Sequence, residues 1–268
     1  MPTRARPPDD WPRDEPLILE RVHARRGGTE ILRGVDLAFP PGTRTCLIGP
    51  SGAGKSTLLR LLNRLADPSD GRILVGETPI AAFPVTRLRR RVGLVFQSPR
   101  PLPGTPAENL AYPHLVAGRP LPLDRDLADA LAEVGLDPSS LGRDATGLSG
   151  GERQRLAIAV ALQAGPAVLA LDEPTSALDP ASARRVAEAL RVRSTRDGLT
   201  TIVVTHSRDQ APSLGDRTVV LEGGRVVDDG PTAAVLARAD ASAWEDLPAL
   251  DPAPALGPVP FVEGADAR

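Results

Sequence analysis

The glycine-rich segment that begins at Gly49 is the feature that most constrains how this 268-residue chain folds. It reads GPSGAGKS and matches the pattern G-x-x-x-x-G-K-[ST], with an apolar run before it and an apolar-periodic stretch after it. We therefore predict a strand, a phosphate-binding loop and a helix, in which backbone N–H groups and the helix N-terminus face phosphate oxygens. The residues predicted to bind the nucleoside triphosphate are Gly49, Pro50, Ser51, Gly52, Ala53, Gly54, Lys55, Ser56 and Thr57.

The composition is that of a soluble globular protein, with 41% hydrophobic residues, 25% charged residues and a formal net charge of −2. This balance gives no indication of nucleic acid or of an anionic membrane surface as a partner. Cys46 is the single cysteine, which excludes an internal disulfide framework and a zinc site of paired cysteines. No segment approaches the roughly 20 apolar residues of a membrane helix. We expect a cytosolic protein that associates with a membrane only through a partner.

Strand-sized apolar runs alternate with helical patterns along most of the chain, which favours an α/β fold with a mostly parallel sheet. Residues 17–48 contain short apolar runs and a Gly-Gly turn, and they predict an antiparallel opening. Residues 98–147 contain no strong strand and predict a helical insertion, with a helix at 124–134.

These patterns predict one domain over residues 17–237, whose helical subdomain spans about 98–160. Residues 1–16 are rich in Arg, Asp and Pro and are predicted to form a disordered tail. Residues 238–268 are predicted to form a loosely packed tail rich in Ala and Pro.

A buried strand predicted at residues 167–171 ends in two carboxylates, Asp172 and Glu173. In a parallel sheet, its carboxyl end lies at the same edge as the phosphate loop, where ligands bind. Asp172 is then placed to hold Mg²⁺ together with the Ser56 hydroxyl, and Glu173 to polarise the attacking water as a general base. His206 ends the next predicted strand and can point at the γ-phosphate. The alternative is that the carboxylates cap the next loop and that the histidine is structural.

Residues 148–152, with the sequence LSGGE, predict a second helix end that binds an anion. Ser149 and Glu152 fit the capping box S-x-x-E at the start of a helix. Gly150 and Gly151 leave the first N–H groups of that helix exposed, with a hydroxyl beside them. A plain helix cap explains the same residues. However, a second anion-binding helix end in a chain that already has one suggests a second phosphate contact.

The motifs occur in the order and spacing of ABC-type ATPase domains, and over residues 17–237 the chain resembles that family. The motifs that carry the resemblance are residues 49–56, Gln97, 148–152, 169–173, 176–179 and His206. The resemblance implies an α/β P-loop NTPase core with a mostly parallel sheet, an antiparallel β subdomain and a helical signature subdomain. It also implies Mg²⁺-dependent ATP hydrolysis by a head-to-tail dimer that encloses two ATP molecules.

The resemblance further implies roles for single residues. Each ATP would contact the phosphate loop of one copy and residues 149–151 of the other. Gln97 would be a catalytic residue that senses Mg²⁺ and water, and His206 would be the switch that responds to the γ-phosphate. Asp179 would communicate across the dimer. Residues 98–115 would receive a helix from a membrane permease.

Arg26 departs from the family pattern, because many relatives carry an aromatic residue there, just before the Gly-Gly turn, that stacks on adenine. A guanidinium group can also stack on a base. Arg26 is therefore the predicted adenine contact, with His23 nearby.

The resemblance implies the ATP-binding subunit of a prokaryotic ABC transporter, held at the cytoplasmic face of the membrane by a separate permease, with a substrate-binding protein as a further partner. The loop after Gln97 is similar to those of phosphate-importer ATPases and of iron- or metal-exporter ATPases, and the sequence does not separate the two. The alternative is a soluble ABC ATPase that acts on DNA or ribosomes. Long coiled-coil insertions, paired cysteines and tandem cassettes would mark that class and are absent from the sequence, so we expect no nucleic-acid partner.

Overall fold

The structure is a computed structural model that describes residues 14–238. The domain expected over residues 17–237 lies within this range. Of the two expected tails, residues 1–13 and 239–268 lie outside the described part of the chain.

The described residues form ten strands and eight α-helices. The strands, in chain order, are β1 (Leu17–Arg26), β2 (Thr29–Phe39), β3 (Arg44–Ile48), β4 (Asp70–Val75), β5 (Thr78–Pro79), β6 (Val92–Val95), β7 (Val168–Asp172), β8 (Thr200–Val204), β9 (Arg217–Glu222) and β10 (Arg225–Pro231). The helices are α1 (Lys55–Leu62), α2 (Val85–Arg91), α3 (Pro106–Val116), α4 (Asp124–Glu133), α5 (Gly150–Gln163), α6 (Pro180–Asp197), α7 (Ala211–Leu214) and α8 (Thr232–Arg238). None of these helices is long and apolar enough to cross a membrane.

A six-stranded sheet of order β10-β9-β3-β8-β7-β6 forms the centre of the fold. Its neighbouring strands are parallel except for β9 and β10, which form an antiparallel hairpin. Strands β3 and β8 are buried along their whole length, as expected for strands of a sheet covered on both faces. The predicted mostly parallel α/β core is therefore confirmed. The carboxyl ends of β3, β7 and β8 lie at one edge of the sheet, where ligands bind in such folds.

A second, antiparallel sheet of order β2-β1-β4-β5 contains the N-terminal strands. Strands β1 and β2 form the hairpin predicted from the Gly-Gly turn, with Arg26 opposite Thr29 at its tip. Helix α1 packs against both sheets, because its buried leucines, among them Leu58 and Leu62, share one core with residues of β1, β2, β3 and β8. This packing holds the start of α1 beside the carboxyl edge of the central sheet.

The region between β6 and β7 is helical and consists of α3, α4, α5 and short 3-10 turns. No strand forms in residues 98–147, all of which are described, and the helix expected at 124–134 is α4. Helix α3 was not predicted, because prolines crowd the sequence before it. Its start is nevertheless well specified, since Pro106 lies in the first turn and Thr105 forms a capping box with Glu108.

An ion pair joins this helical region to the core. Arg193 on α6 donates from Nε and Nη2 to the two carboxylate oxygens of Glu133 on α4, each at 2.6 Å. The two side chains are 20% and 21% exposed. A bidentate pair in such a partly buried position constrains the relative orientation of the two helices.

Candidate active site

The loop between β3 and α1 has a backbone that only glycine permits at two positions. Gly49 has a φ of 151°, and a Cβ there would lie 2.0 Å from the carbonyl oxygen of Leu221. Gly54 has a φ of 103°, and a Cβ there would lie 2.6 Å from Cδ2 of Leu32. Helix α1 then begins at Lys55 without a side-chain cap, so its first N–H groups are open to an anion. The other predicted phosphate-loop residues lie in the same turn and in the first turn of α1: Pro50, Ser51, Gly52, Ala53, Ser56 and Thr57.

The ammonium group of Lys55 lies over this loop. Its Nζ donates to the carbonyl oxygens of Gly49 and Pro50, at 2.6 and 2.8 Å. Burial lowers the pKa of the Lys55 ammonium, and the carboxylates of Glu173 and Asp172 oppose that shift. A positive charge held inside the loop is placed to pair with phosphate oxygens.

Ser56 and Asp172, two of the residues predicted to hold Mg²⁺, lie against each other. The Ser56 hydroxyl donates to Oδ1 of Asp172 at 3.1 Å, which connects α1 to the end of β7. Burial raises the pKa of the Asp172 carboxyl, and the Ser56 hydrogen bond opposes that shift. Residues 14–238 contain no cluster of three or more His, Cys, Asp or Glu side chains that could hold a metal by themselves. One hydroxyl and one carboxylate beside a phosphate loop nevertheless fit Mg²⁺, which takes few protein ligands, all oxygen, alongside water and phosphate.

Glu173 is held from two sides. Its Oε2 accepts a 2.8 Å hydrogen bond from the amide nitrogen of Gln97, and its Oε1 lies 3.2 Å from Nδ1 of His206. Glu173 also has a φ of 49°, a left-handed conformation that is uncommon for a residue other than glycine. The structure therefore brings together the three residues predicted to be catalytic. The amide oxygen of Gln97, which a metal ligand would use, is not part of this contact.

The N-terminal end of α5 has the predicted capping box. The backbone N–H of Ser149 donates to Oε2 of Glu152 at 2.8 Å, and the N–H of Glu152 donates to Oγ of Ser149 at 3.3 Å. Hydrogen bonds from the Ser149 side chain and from its backbone N–H lower the pKa of the Glu152 carboxyl. Ser149 and Gly150 are exposed, and a Cβ at Gly150 would meet no atom within 4 Å. The end of α5 is therefore open to solvent, where a ligand held by another molecule can reach it.

Asp179 is the N-cap of α6. Its Oδ1 accepts from the backbone N–H groups of Ala181 and Ser182, at 2.9 and 3.0 Å. Hydrogen bonds from the Ser182 side chain and from these N–H groups lower the pKa of the Asp179 carboxyl. The segment before Asp179 packs closely on α5, because a Cβ at Gly151 would lie 3.2 Å from Cδ2 of Leu178. Asp179 thus lies beside the end of α5. Its predicted role in communication across a dimer involves a second copy of the chain and stays a prediction.

Arg26 lies at the exposed tip of the β1–β2 hairpin. His23, on the same strand, is fixed by a 2.8 Å contact between its Nδ1 and Oε1 of Glu30. The hairpin is as predicted, and the adenine contact of Arg26 stays a prediction.

Sequence reasoning missed two residues next to this site, Thr175 and Gln210, and gave no role to a third, Ser176. The Thr175 hydroxyl donates to Oε1 of Gln210 at 2.6 Å, and Thr175 is only 2% exposed. The Ser176 hydroxyl donates to the backbone carbonyl oxygen of Glu173 at 3.0 Å. Ser176 is recognisable from the sequence only as part of the motif at residues 176–179, and no local pattern connects Thr175 with a residue 35 positions away.

Comparison with known proteins places this site in a family. The family model described as "ABC transporter" matches residues 32–176, just over half of the chain. Protein STAR1 of Oryza sativa subsp. japonica is 46% identical over 212 residues, which are 79% of this chain and 60% of that protein. The methionine import ATP-binding protein MetN of Xanthomonas oryzae pv. oryzae is 42% identical over 209 residues, which are 76% of this chain and 62% of that protein. The chain thus spans about three-fifths of the length of these two curated relatives.

A solved structure agrees with the sequence match. It is cbiO1 from Clostridium perfringens, described as part of the ABC transporter complex cbiONQ, and its TM-score is 0.73 at 31% identity. The match covers 84% of this chain and 92% of that one. The chain therefore belongs to the ABC transporter family and carries the P-loop cassette of that family.

Proposed function

We propose that this protein is the ATP-hydrolysing subunit of an ABC transporter, and that it powers a separate permease from the cytoplasmic face of the membrane. The observation that carries the proposal is the convergence, beside a phosphate loop, of Ser56, Asp172, Glu173, Gln97 and His206. A structural ion pair or a helix cap does not need all of these groups at one edge of a sheet.

In the proposed reaction the β- and γ-phosphates lie against the loop N–H groups and Lys55. Ser56, and Asp172 through water, would hold the Mg²⁺ ion, which supplies charge neutralisation at the phosphates. Glu173 accepts a proton from the water that attacks the γ-phosphorus, while the bond to the bridging oxygen of ADP breaks. Each carboxylate oxygen has more than one lone pair, so Gln97 and His206 can hold the group while it accepts the proton.

We further propose that two copies of the chain enclose two ATP molecules. The end of α5 supports this arrangement, because it is exposed to solvent and its first N–H groups have no acceptor within the helix. Such an end binds anions, and its exposure lets the γ-phosphate of ATP on a second copy reach it. Asp179, which begins α6 beside this end, would then lie at the contact between the copies.

The surface proposed to receive the permease is the segment at residues 98–115 with the end of α3. Tyr112, Leu115 and Val116 lie on one face of α3 and are 46%, 65% and 44% exposed. Exposed apolar side chains that cluster on a helix favour a protein partner. A helix of the permease with an apolar face suits this surface.

The permease would select the transported substrate, so the proposal concerns the ATPase subunit and not the identity of the cargo. The phosphate or metal cargo implied by the sequence resemblance has no support from the relatives compared, one of which is named for methionine import. Methionine is therefore the cargo to test first, in a complex with the permease and with a substrate-binding protein where one exists. A soluble ABC ATPase acting on DNA or ribosomes is not favoured, because MetN and cbiO1 are both named as transport proteins.

The test of the proposal is Glu173→Gln. Glutamine keeps the size of the side chain but cannot accept the proton of the attacking water. The variant should therefore bind ATP and form a stable dimer with ATP and Mg²⁺, while turnover falls by at least about 100-fold. Light scattering measures the dimer and phosphate release measures turnover.

A matched control is Glu77→Gln, at an exposed position between β4 and β5, which should behave like the wild-type protein. Normal turnover of Glu173→Gln would show that Glu173 is not the base. A particle that remains monomeric with ATP, both alone and with its permease, would contradict the proposed dimer.

A further inference from the structure

The loops that carry Glu173 and His206 are joined a second time, away from the contact between those two side chains. Thr175 belongs to the loop of Glu173, and Gln210 to the loop of His206. The Thr175 hydroxyl donates to Oε1 of Gln210 at 2.6 Å, and Thr175 is 2% exposed. A short hydrogen bond from a buried hydroxyl to a partly buried amide oxygen is less exposed to competing water than a surface contact, and it is costly to break.

We propose that Thr175 and Gln210 are a positioning pair, whose hydrogen bond makes the loops of Glu173 and His206 move as one unit during hydrolysis. The inference rests on the proposed function, since it concerns the same reaction. Neither member of the pair touches the reacting atoms. They act by keeping His206 aligned with the Glu173 carboxylate when ATP binds and when phosphate leaves.

The surrounding contacts show why the pair matters to this alignment. The Ser176 hydroxyl donates to the carbonyl oxygen of Glu173 at 3.0 Å, and this hydrogen bond stabilises the loop of Glu173 internally. Arg208 donates to the carbonyl oxygen of Leu236 at 3.0 Å, so the second loop is also attached to α8. The His206 side chain is 66% exposed, which leaves its own contact with Glu173 open to water and therefore weak. The hydrogen bond between Thr175, which is buried, and Gln210, which is partly buried, is the firmer side-chain link between the loops.

Two substitutions at each position separate the hydrogen bond from the shape of the side chain. Thr175→Val removes the hydroxyl and keeps the shape, whereas Thr175→Ser keeps the hydroxyl. Gln210→Ala removes the acceptor, whereas Gln210→Glu keeps an oxygen at the same place. Thr195→Val is the control, because the Thr195 hydroxyl makes a 3.1 Å hydrogen bond to its own helix on the exposed face of α6.

We expect Thr175→Val to lower kcat about tenfold while KM for ATP stays within about twofold, since a small misalignment affects the chemical step more than binding. Thr175→Ser and Gln210→Glu should keep most of the wild-type kcat, and Thr195→Val all of it. The double variant Thr175→Val, Gln210→Ala should be no slower than the slower single variant, because both remove one interaction. Thermal melting of every variant identifies losses caused by unfolding.

A kcat of Thr175→Val equal to that of Thr195→Val would overturn the inference, and so would losses that multiply in the double variant. If Thr175→Val does not fold, Gln210→Ala and Gln210→Glu decide the question by the same comparison. If the wild-type protein and these variants hydrolyse ATP equally well, only the positioning pair is refuted. A wild-type protein without any hydrolysis, alone or with its permease, refutes the proposed function and the pair together.

Discussion

Gly150 allows the proposed dimer to be tested apart from the stability of the single subunit. It is the first residue of α5, and a Cβ there would meet no atom within 4 Å. Its backbone is also not in the left-handed region, so Gly150→Ala should leave the fold intact. The higher helix propensity of alanine can add at most about 1 kcal/mol to the free energy of unfolding. In a domain of this size that raises the melting temperature by about 2–4 °C at most.

In the closed dimer the same methyl group would lie between the end of α5 and the ATP of the other copy. The N–H groups must come within about 3 Å of phosphate oxygens, which leaves no room for a methyl group. A loss of about 1.4 kcal/mol at each of two equivalent sites weakens the dimer about 100-fold. Turnover should fall at least about tenfold near the dissociation constant of the wild-type dimer, because in the proposed mechanism hydrolysis needs the closed form.

The assay is ATP-dependent dimerisation in the Glu173→Gln background, measured by light scattering over a range of protein concentrations. Gly150→Ala is compared there with Gly142→Ala, at a second position where a Cβ would meet no atom within 4 Å and which lies outside the site. Gly142→Ala should dimerise normally. If Gly150→Ala has the same dimer affinity as Gly142→Ala, the proposed contact between the N-terminal end of α5 and the ATP bound to the other copy is refuted.

The remaining predictions concern the Glu133–Arg193 ion pair, the ionisation and reactivity of the Cys46 thiol, and the base contact of Arg26. Glu133→Gln should lower the free energy of unfolding in urea by about 2 kcal/mol, because Arg193 loses its bidentate carboxylate partner and keeps only the 3.1 Å contact with Asp197; an unchanged midpoint would show that the pair adds no stability. Burial raises the pKa of the Cys46 thiol from 9.0 to about 12, so stability should fall between these two pH values, where only the unfolded thiol ionises. For the same reason thiol reagents should label Cys46 only on unfolding, and rapid labelling of the native protein would contradict its burial. Arg26→Ala should weaken ATP binding about fivefold, since a guanidinium stacked on a base contributes about 1 kcal/mol, and equal ATP affinity in a binding titration would exclude that contact.

Short-range patterns determined much of this protein. The glycines of the phosphate loop, the capping box of Ser149 with Glu152 and the Gly-Gly hairpin turn all follow from residues a few positions apart. Local spacing is enough for them because glycine conformation, helix capping and turn geometry depend on the nearest backbone. Alternating strands and helices likewise predicted the parallel core. Helix α3 was missed because its prolines indicate a loop unless the capping residues Thr105 and Glu108 are recognised.

Only the tertiary structure decided which distant side chains meet. Gln97 lies 76 positions from Glu173, and Thr175 lies 35 positions from Gln210, yet each pair is hydrogen bonded. These contacts depend on the order of the strands, because β8 and β6 flank β7 in the sheet and carry their following loops to the same edge. Strand order is set by packing of the whole core, which no local spacing encodes. The sequence by itself therefore determined which functional groups this protein has, and the strand order of the central sheet determined which of them lie together.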